Sequence, residues 1–336
     1  MVLAVEVKAE DAEKAKDKLL KMGLLDDGRK IKRKGKKVII PVKEIPSLDI
    51  DFRVVDDGDY MERKKFVPME EIREILKDRI SSRDFERLPE KWEKFGDVLI
   101  IKMGGIENKR VVAEAYAKVL KCKTVLEDAG GIKGEERRPD FIFLYGNNAE
   151  TIHVENGIRY KFDASRIMFS SGNIDERIRM AEVAKEGETV VDMFAGIGYF
   201  TLPLAIYGKA KVYACEINPQ AYEYLKENVM LNGVADRVKP LLGDCREVAP
   251  HSIADRVVMG YFDSIPFFPY ALRCIRDDGI IHFHIKCKDE DFPERIMEIL
   301  RDKGKKQGWR VEMLDSRKVK SYAPRIIHGV IDIRVA

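Results

Sequence analysis

Three carboxylates, Asp192, Glu216 and Asp244, each close an apolar run, and a turn carrying Gly196 and Gly198 follows the first of them. In Val190-Val-Asp-Met-Phe-Ala-Gly-Ile-Gly198 an apolar strand, a glycine turn and a following helix form the first βα unit of a doubly wound fold, whose ligands sit at the carboxyl ends of the strands. A nucleoside cofactor is therefore the first ligand to consider. Dinucleotide sites read Gly-x-Gly-x-x-Gly, but the string Gly196-Ile-Gly198-Tyr-Phe-Thr201 lacks the third glycine that permits close helix packing. A carboxylate closing the strand also repels a diphosphate. S-adenosylmethionine has a sulfonium, an ammonium and no phosphate, and it suits this loop. Phe194, Ala195, Gly196 and Gly198 would line it, with Asp192 at its base. Glu216, followed by Ile217, stands at about the twenty-residue spacing of a carboxylate that accepts both ribose hydroxyls. Asp244, with Cys245 after it, is placed to accept from an adenine amino group. Any one of these acids is equally an ordinary turn residue; three in order are harder to explain that way.

The fourth strand decides the reaction. Enzymes that modify a planar nitrogen with this cofactor often end it in Asn/Asp-Pro-Pro-Tyr/Phe, where the polar group accepts from the target nitrogen and the ring stacks on the base. Here Asp255-Arg-Val-Val-Met259 runs into Gly260-Tyr261-Phe262-Asp263. The aromatic is kept, while the polar acceptor and both prolines are gone. Tyr261 can still stack a base, or it can serve core packing, but the usual grip on an amino or imino nitrogen is missing.

The elements that position these residues read as α/β. From Asp163 onward strands and helices alternate up to a final strand Ile326–Val335, which argues for a mostly parallel sheet with helices on both faces. Two α+β modules precede it. Residues 1–60 read as strand, helix and hairpin plus linker, with 42–66 as the charged linker stretch. Residues 61–162 form a middle module with a helix at 69–79, a strand at 97–102, a helix at 108–120, a basic loop at 133–138 and a hairpin turning at Glu155-Asn-Gly157. The 336 residues are enough for one large domain plus one or two small ones.

Lys plus Arg (61) nearly balances Asp plus Glu (58), so the net charge of +3 does not by itself indicate nucleic acid. A charged content of 35% fits a surface rich in salt bridges. No apolar stretch has membrane-spanning length and the N-terminus lacks a signal-peptide pattern, so a cytoplasmic, membrane-free protein is expected. The five cysteines are scattered without a Cys-x-x-Cys pair and suggest neither zinc nor disulfides. His282 and His284 share a strand face without an acidic or cysteine partner at ligand spacing, which fits packing and hydrogen bonding better than a metal; none is expected. Charge is locally concentrated in Arg29-Lys-Ile-Lys-Arg-Lys-Gly-Lys-Lys37, with seven cations in nine residues. That hairpin could neutralise RNA phosphates, or be a solvated tip. Further basic groups at 133–138 and 317–320 make a large anionic substrate more plausible than a small metabolite.

With these residues in view, 68–336 resembles the archaeal tRNA position-37 modification enzymes, most closely the tRNA-Phe 4-demethylwyosine aminocarboxypropyltransferases of wyosine synthesis. The resemblance rests on Leu88-Pro-Glu-Lys-Trp-Glu-Lys-Phe-Gly-Asp-Val-Leu99, Gly134-Glu-Glu-Arg-Arg-Pro-Asp140, His153-Val-Glu-Asn-Gly157, Lys161-Phe-Asp-Ala-Ser-Arg-Ile-Met-Phe-Ser-Ser-Gly-Asn173, Glu176-Arg-Ile-Arg-Met180, the glycine loop, Met259-Gly-Tyr261 and Lys320-Ser-Tyr-Ala-Pro324. Several of these are shared with the tRNA guanine-37 N1-methyltransferases. That sister family carries an Asn-x-Pro-type motif in place of Met259-Gly-Tyr261 and Arg-x-Arg-Glu in place of Arg137-Arg-Pro-Asp140. Residues 1–60 point the other way, since they resemble the tRNA-gripping N-terminal module of the methyltransferases.

The resemblance implies a class I S-adenosylmethionine-dependent, Rossmann-like domain acting on the anticodon loop of tRNA-Phe, as a monomer. The implied reaction moves the 3-amino-3-carboxypropyl group to C7 of 4-demethylwyosine, with guanine-37 N1-methylation as the enzymatic alternative and a tRNA-binding protein with a vestigial cofactor site as a third. It also implies that Ser170 and Arg177 contact the cofactor, Arg177 through the methionine carboxylate, and that Glu176 matches a base of the methyltransferases. For Glu176 and Arg177 salt bridging on a helix surface is the plainer alternative. Glu176 and Tyr261 are the candidate catalytic residues.

Overall fold

The computed structural model describes residues 2–62, 67–133 and 138–336, in two compact units, Met1–Glu71 and Ile72–Ala336. In the first unit, antiparallel strands lie in the order Lys32–Lys34, Lys37–Pro41, Leu3–Lys8 and Phe52–Asp56, and helix Ala12–Lys21 supplies Ala15 and Leu19 to a core with Val5, Val7, Val38 and Ile40. The stretch 42–66 is thus more than a linker. Its Phe52–Asp56 pairs with Leu3–Lys8 as an edge strand, and the charged residues around Val54 and Val55 had hidden that short apolar run.

The cationic hairpin is only partly a free positive surface. Arg29 and Lys32 turn back onto the buried Asp57, Lys34 approaches Asp59 and Lys37 pairs with Glu6, while Lys30, Arg33 and Lys36 are exposed. The basic loop expected at 133–138 falls, over 134–137, outside the described residues, as do the linker cations at 63–65.

The second unit opens with the end of helix Pro68–Leu76 and helix Ser82–Glu86, followed by a sheet in the order Trp92–Phe95, Val98–Ile101, Thr124–Lys133, Arg138–Tyr145, with helix Lys109–Leu120 between its second and third strands in sequence. A hairpin, Glu150–Glu155 with Ile158–Asp163, follows; Asn156 and Gly157 both adopt positive φ (51° and 77°), as a tight two-residue turn between twisted strands requires. Then comes a seven-stranded sheet in the order Val238–Leu242, Lys211–Glu216, Thr189–Asp192, Ala254–Met259, Ile275–Lys288, Ile326–Val335, Val311–Ala323. Its first five strands are parallel and the last two are antiparallel additions.

Alternation along the central strands sends their side chains to two separate cores. Val190, Ala214 and Val258 pack with helices Thr201–Ile206 and Pro219–Leu231, whereas Val191, Cys215, Val257 and Met259 pack with Phe268–Cys274 and Glu294–Lys305. This two-faced burial makes the strands nearly continuous apolar runs. It also leaves the carboxyl ends of the parallel strands as the place where polar loops can gather. Among the described residues no helix is long and apolar enough to cross a membrane.

One buried amide joins the hairpin to the sheet's first loop. Asn228, fully buried on helix Pro219–Leu231, accepts from the Lys161 N–H (2.6 Å) and donates to the Lys161 and Ile197 carbonyls (both 3.1 Å). Ile197 lies between the two loop glycines, so a helix side chain fixes the loop backbone. Asn228→Ala should cost about 2–3 kcal/mol, because it leaves buried backbone groups without partners. A lower urea midpoint at unchanged slope is the expected reading; an unchanged midpoint would show the tie to be dispensable.

Candidate active site

The loop after strand Thr189–Asp192 turns on two glycines that both need positive φ. Gly196 (φ 58°) would press a Cβ to 2.5 Å from the Tyr199 ring, and Gly198 (φ 103°) to 2.9 Å from Leu202. The loop is pinned from below by Ala195 N–H to the Cys215 carbonyl (2.9 Å) and Met193 N–H to the Val258 carbonyl (3.0 Å). Ala195 and Gly198 are buried, while Phe194 and Gly196 are partly open.

Asp192 stands beneath this loop and does not reach the cleft. It is wholly buried and accepts from the Thr201 hydroxyl (2.7 Å) and the Phe194 N–H (3.3 Å), so it braces the turn and the first turn of the next helix. Glu216 is the loop's other partner. Its Oε2 accepts from the Gly196 N–H (2.7 Å) and its Oε1 from the Asn218 N–H (2.8 Å), so each oxygen keeps acceptor capacity for a hydroxyl. Burial pushes its carboxyl up, against the pull of those amides. Beside it Ile217 is held out at 63% exposure, an apolar wall at a strand end. Glu216 also joins the next strand end, its carbonyl taking the Gly243 N–H (2.9 Å).

Asp244 caps the short helix Cys245–Val248, and Arg246 bonds back to it (Nε to Oδ2, 2.9 Å), which lowers the carboxyl's pKa. Cys245 is buried. Arg246 then lies over the Phe267 ring (5.2 Å), Phe267 meets Phe194 edge to face (5.1 Å), and Phe194 tilts against Tyr261 (5.1 Å). These contacts close a circle around the strand ends, from Gly196 through Glu216, Asp244 and Phe267 back to Phe194, with Tyr261 at its rim. A hydroxyl acceptor, an apolar wall and an acid beyond it fit an adenosine. Phe267 and Arg246 belong to this circle, and no local pattern in the sequence marks them.

The other wall comes from the segment before the sheet. Phe169 sits in an aromatic cluster with Phe95, His153, Tyr160 and Phe162, and the Tyr199 hydroxyl of the glycine loop donates to the Met168 carbonyl. Arg177 lies over Phe169 (4.7 Å) and is 2% exposed. Its Nε and one terminal nitrogen donate to Glu155 (2.5 and 2.8 Å) and the other to the Ser170 carbonyl (2.9 Å). The guanidinium expected to meet a ligand carboxylate is therefore engaged by the hairpin's own carboxylate, and it holds the Ser170 backbone in place. The cation that reaches Ser170's side chain is Lys320, whose Nζ donates to its hydroxyl (2.9 Å). Nothing in the sequence alone marks Glu155 or Lys320 for these roles, although they lie in His153-Val-Glu-Asn-Gly157 and Lys320-Ser-Tyr-Ala-Pro324.

Glu176 also faces inward. It is 3% exposed, and Arg179 takes both of its oxygens (3.0 and 3.1 Å). Arg179 continues to Asp332 (2.9 Å), which Arg317 (2.8 Å) and His282 Nδ1 (2.6 Å) also meet. Arg256, which can only donate, lies 2.7 Å from His282 Nε2, so the ring proton sits on Nδ1 and points at Asp332. Burial lowers the His282 pKa and keeps the ring neutral; burial would raise Asp332, but His282 and the two arginines hold it below the usual carboxylate range. Glu176 is thus part of a buried charge network behind the site, and among the described residues no group of His, Cys, Asp and Glu could hold a metal.

A mostly parallel sheet with acidic strand ends around a glycine loop defines a class I S-adenosylmethionine-dependent transferase. Residues 151–312 match the TRM5/TYW2 methyltransferase domain, 72–149 the TYW2 N-terminal domain and 4–59 the tRNA methyltransferase 5 N-terminal domain. The chain is 46% identical over 267 residues to the tRNA(Phe) (4-demethylwyosine(37)-C(7)) aminocarboxypropyltransferase of Pyrococcus horikoshii, covering 79% of this chain and 96% of that one. The crystal structure of P. horikoshii TYW2 in complex with MeSAdo superposes with a TM-score of 0.74 at 43% identity, over 80% of this chain and 98% of that one. The tRNA (guanine(37)-N(1))-methyltransferase Trm5b of Pyrococcus abyssi is 37% identical over the whole of both chains. The chain belongs to the TRM5/TYW2 family and, within it, to the archaeal tRNA-Phe 4-demethylwyosine aminocarboxypropyltransferases.

Two measurements test this framework. Burial pushes the Asp192 carboxyl up to about 6, so the folded state binds a proton that the unfolded chain has already lost. Stability from this group falls as pH rises from about 4 to about 6 and stays lower above that. Asp192→Asn keeps an acceptor for Phe194 and a donor for Thr201 without the charge. It should exceed the parent by about 3 kcal/mol at pH 8 and lose that advantage near pH 4; a pH-independent difference in urea midpoints would contradict the assignment. Separately, Arg177→Ala should cost about 3–5 kcal/mol by stranding Glu155, and Glu155→Ala added to it should recover part of that loss. Strictly additive losses in the double-mutant cycle would rule the pair out as a unit.

Proposed function

We infer that the chain transfers the 3-amino-3-carboxypropyl group of S-adenosylmethionine to C7 of 4-demethylwyosine at position 37 of tRNA-Phe, releasing methylthioadenosine. The observation that carries this reading over N-methylation lies at the end of strand Ala254–Met259. Met259 is fully buried, and the Phe200 ring lies 2.8 Å from where a Cβ on Gly260 would stand. Neither Met259 nor Gly260 presents a side-chain amide or carboxylate to grip a ring nitrogen, and a carbon nucleophile needs none. The P. horikoshii relative was crystallised with MeSAdo, the thioether that remains when the longer chain is given away.

S-adenosylmethionine supplies a sulfonium with three electrophilic carbons, and the one held in line with the nucleophile is the one transferred. In our reading Glu216 takes the ribose hydroxyls, Ile217 and Cys245 flank the adenine, and Asp244 takes its amino group once Arg246 shifts. Phe194, Ala195, Gly196 and Gly198 shape the loop beneath, with Asp192 as its brace. Ser170, held by Arg177 from below and by Lys320 from above, orients the methionine end. Tyr261 stacks on the tricyclic base. Glu176, enclosed by Arg179, acts by positioning helix Ile174–Val183. In this reading the chain acts as a monomer on the anticodon loop.

The full-length match to Trm5b and the match of residues 4–59 to its N-terminal domain favour guanine-37 N1-methylation as the second reading. Incubation of demethylwyosine-containing tRNA-Phe with S-adenosylmethionine labelled on the carboxyl carbon, and in parallel on the methyl, separates the two. Carboxyl label should enter the RNA; methyl label alone would assign the chain to the methyltransferases.

A further inference from the structure

Two consecutive aromatics leave strand Ala254–Met259 and join different clusters. Tyr261 meets Phe194 and Phe267, at the rim described above. Phe262 meets Tyr322 edge to face (5.7 Å) and the buried His328 (4.8 Å), on the side of the added antiparallel strands. Lys286 binds this second cluster together. Its N–H donates to the Phe262 carbonyl (3.3 Å), and its Nζ lies 5.1 Å from the centre of the Tyr322 ring. Lys286 lies beyond Phe283, the residue paired with Met259, and Tyr322 is one residue from the end of its strand. The cluster therefore stands at the same end of the sheet as the cofactor loops. Lys320, two residues before Tyr322, donates to Ser170 and ties this corner to the wall of the site.

Tyr322 is 50% exposed although Phe262 backs it and a lysine lies over it. An aromatic ring with a cation beside it, half open to solvent, is the surface on which single-stranded bases stack. We propose that Tyr322, backed by Phe262 and flanked by Lys286, is a second stacking platform that takes the base of a nucleotide adjoining the modified one in the tRNA. The inference rests on the tRNA substrate of the preceding section. When the target base is drawn toward Tyr261 its neighbour loses a stacking partner, and the Tyr322 ring, backed by the residue next to Tyr261, replaces it. The cation suits the adjoining phosphate.

The test uses the full chain and tRNA-Phe in which 2-aminopurine replaces the nucleotide on one side of the target or the other. Binding to the parent protein should change the fluorescence of one of the two probes. Tyr322→Ala and Tyr322→Leu should abolish that change and raise the Kd for tRNA about tenfold, Tyr322→Phe should restore both, and the Kd for S-adenosylmethionine should not move. Lys286→Ala should weaken tRNA binding and flatten its salt dependence. If both probes stay silent with the parent, or if Tyr322→Leu binds tRNA as the parent does, the platform does not exist. None of these readouts depends on which alkyl group is transferred, so a chain that delivers only methyl label would overturn the proposed reaction and leave this result standing.

Discussion

A buried guanidinium must find acceptors or unfold its surroundings, and Arg177 has found them in Glu155 and the Ser170 carbonyl. That one interaction sets where a large part of the site lies. Glu155 closes the first strand of the hairpin, Arg177 rides the helix that leads into the parallel sheet, and Ser170 ends the segment between them. The aromatic cluster around Phe169 fills the space beneath and keeps water from the ion pair. Through Tyr199 and Asn228 the same block holds the glycine loop. The loop is tied to neighbours that come earlier in the chain, and these are themselves anchored by the buried pair of Arg177 and Glu155.

A second set of charges, starting from Glu176 on the same helix, follows the same rule. Glu176, Arg179, Asp332, Arg317 and His282 share one another's protons and lone pairs in a region that admits little water. Two arginines and a neutral histidine surround Asp332, the acid that strand Ile326–Val335 turns toward this region. The two networks explain why Glu176 and Arg177, on helix Ile174–Val183, are charged yet buried while Ile174 and Ile178 of the same helix are exposed. Its two neighbouring ionic residues point into separate networks, one on each side of the helix.

The sequence discloses what is local and misses what is distant. The glycine turn, the acidic strand ends and the alternation of strands and helices are each signalled within about ten residues, by types whose conformational demands are specific. The missing polar acceptor at Met259-Gly260 was legible for the same reason. Partners far apart in the chain were not. Glu155 with Arg177, Lys320 with Ser170 and His282 with Asp332 are unions of ordinary residues, and nothing at either end names the other. Hence Arg177 carries two readings, a cofactor contact implied by resemblance and a salt bridge, and only the fold names Glu155 as its partner. Strand Phe52–Asp56 was lost differently, because an edge strand exposes its charged face and dilutes the apolar pattern.

The order of the last strands has a consequence for how the molecule comes into being. Ile326–Val335 lies between Ile275–Lys288 and Val311–Ala323, so the strand made earlier has nothing to pair with until the strand made later is in place. Lys320, Tyr322 and Arg317 all belong to that waiting strand. The Lys320 contact with Ser170 therefore comes together only after both strands have been made. Among the described residues strand Val311–Ala323 pairs only with Ile326–Val335, so the sheet gains its outer edge only with the insertion of the later strand.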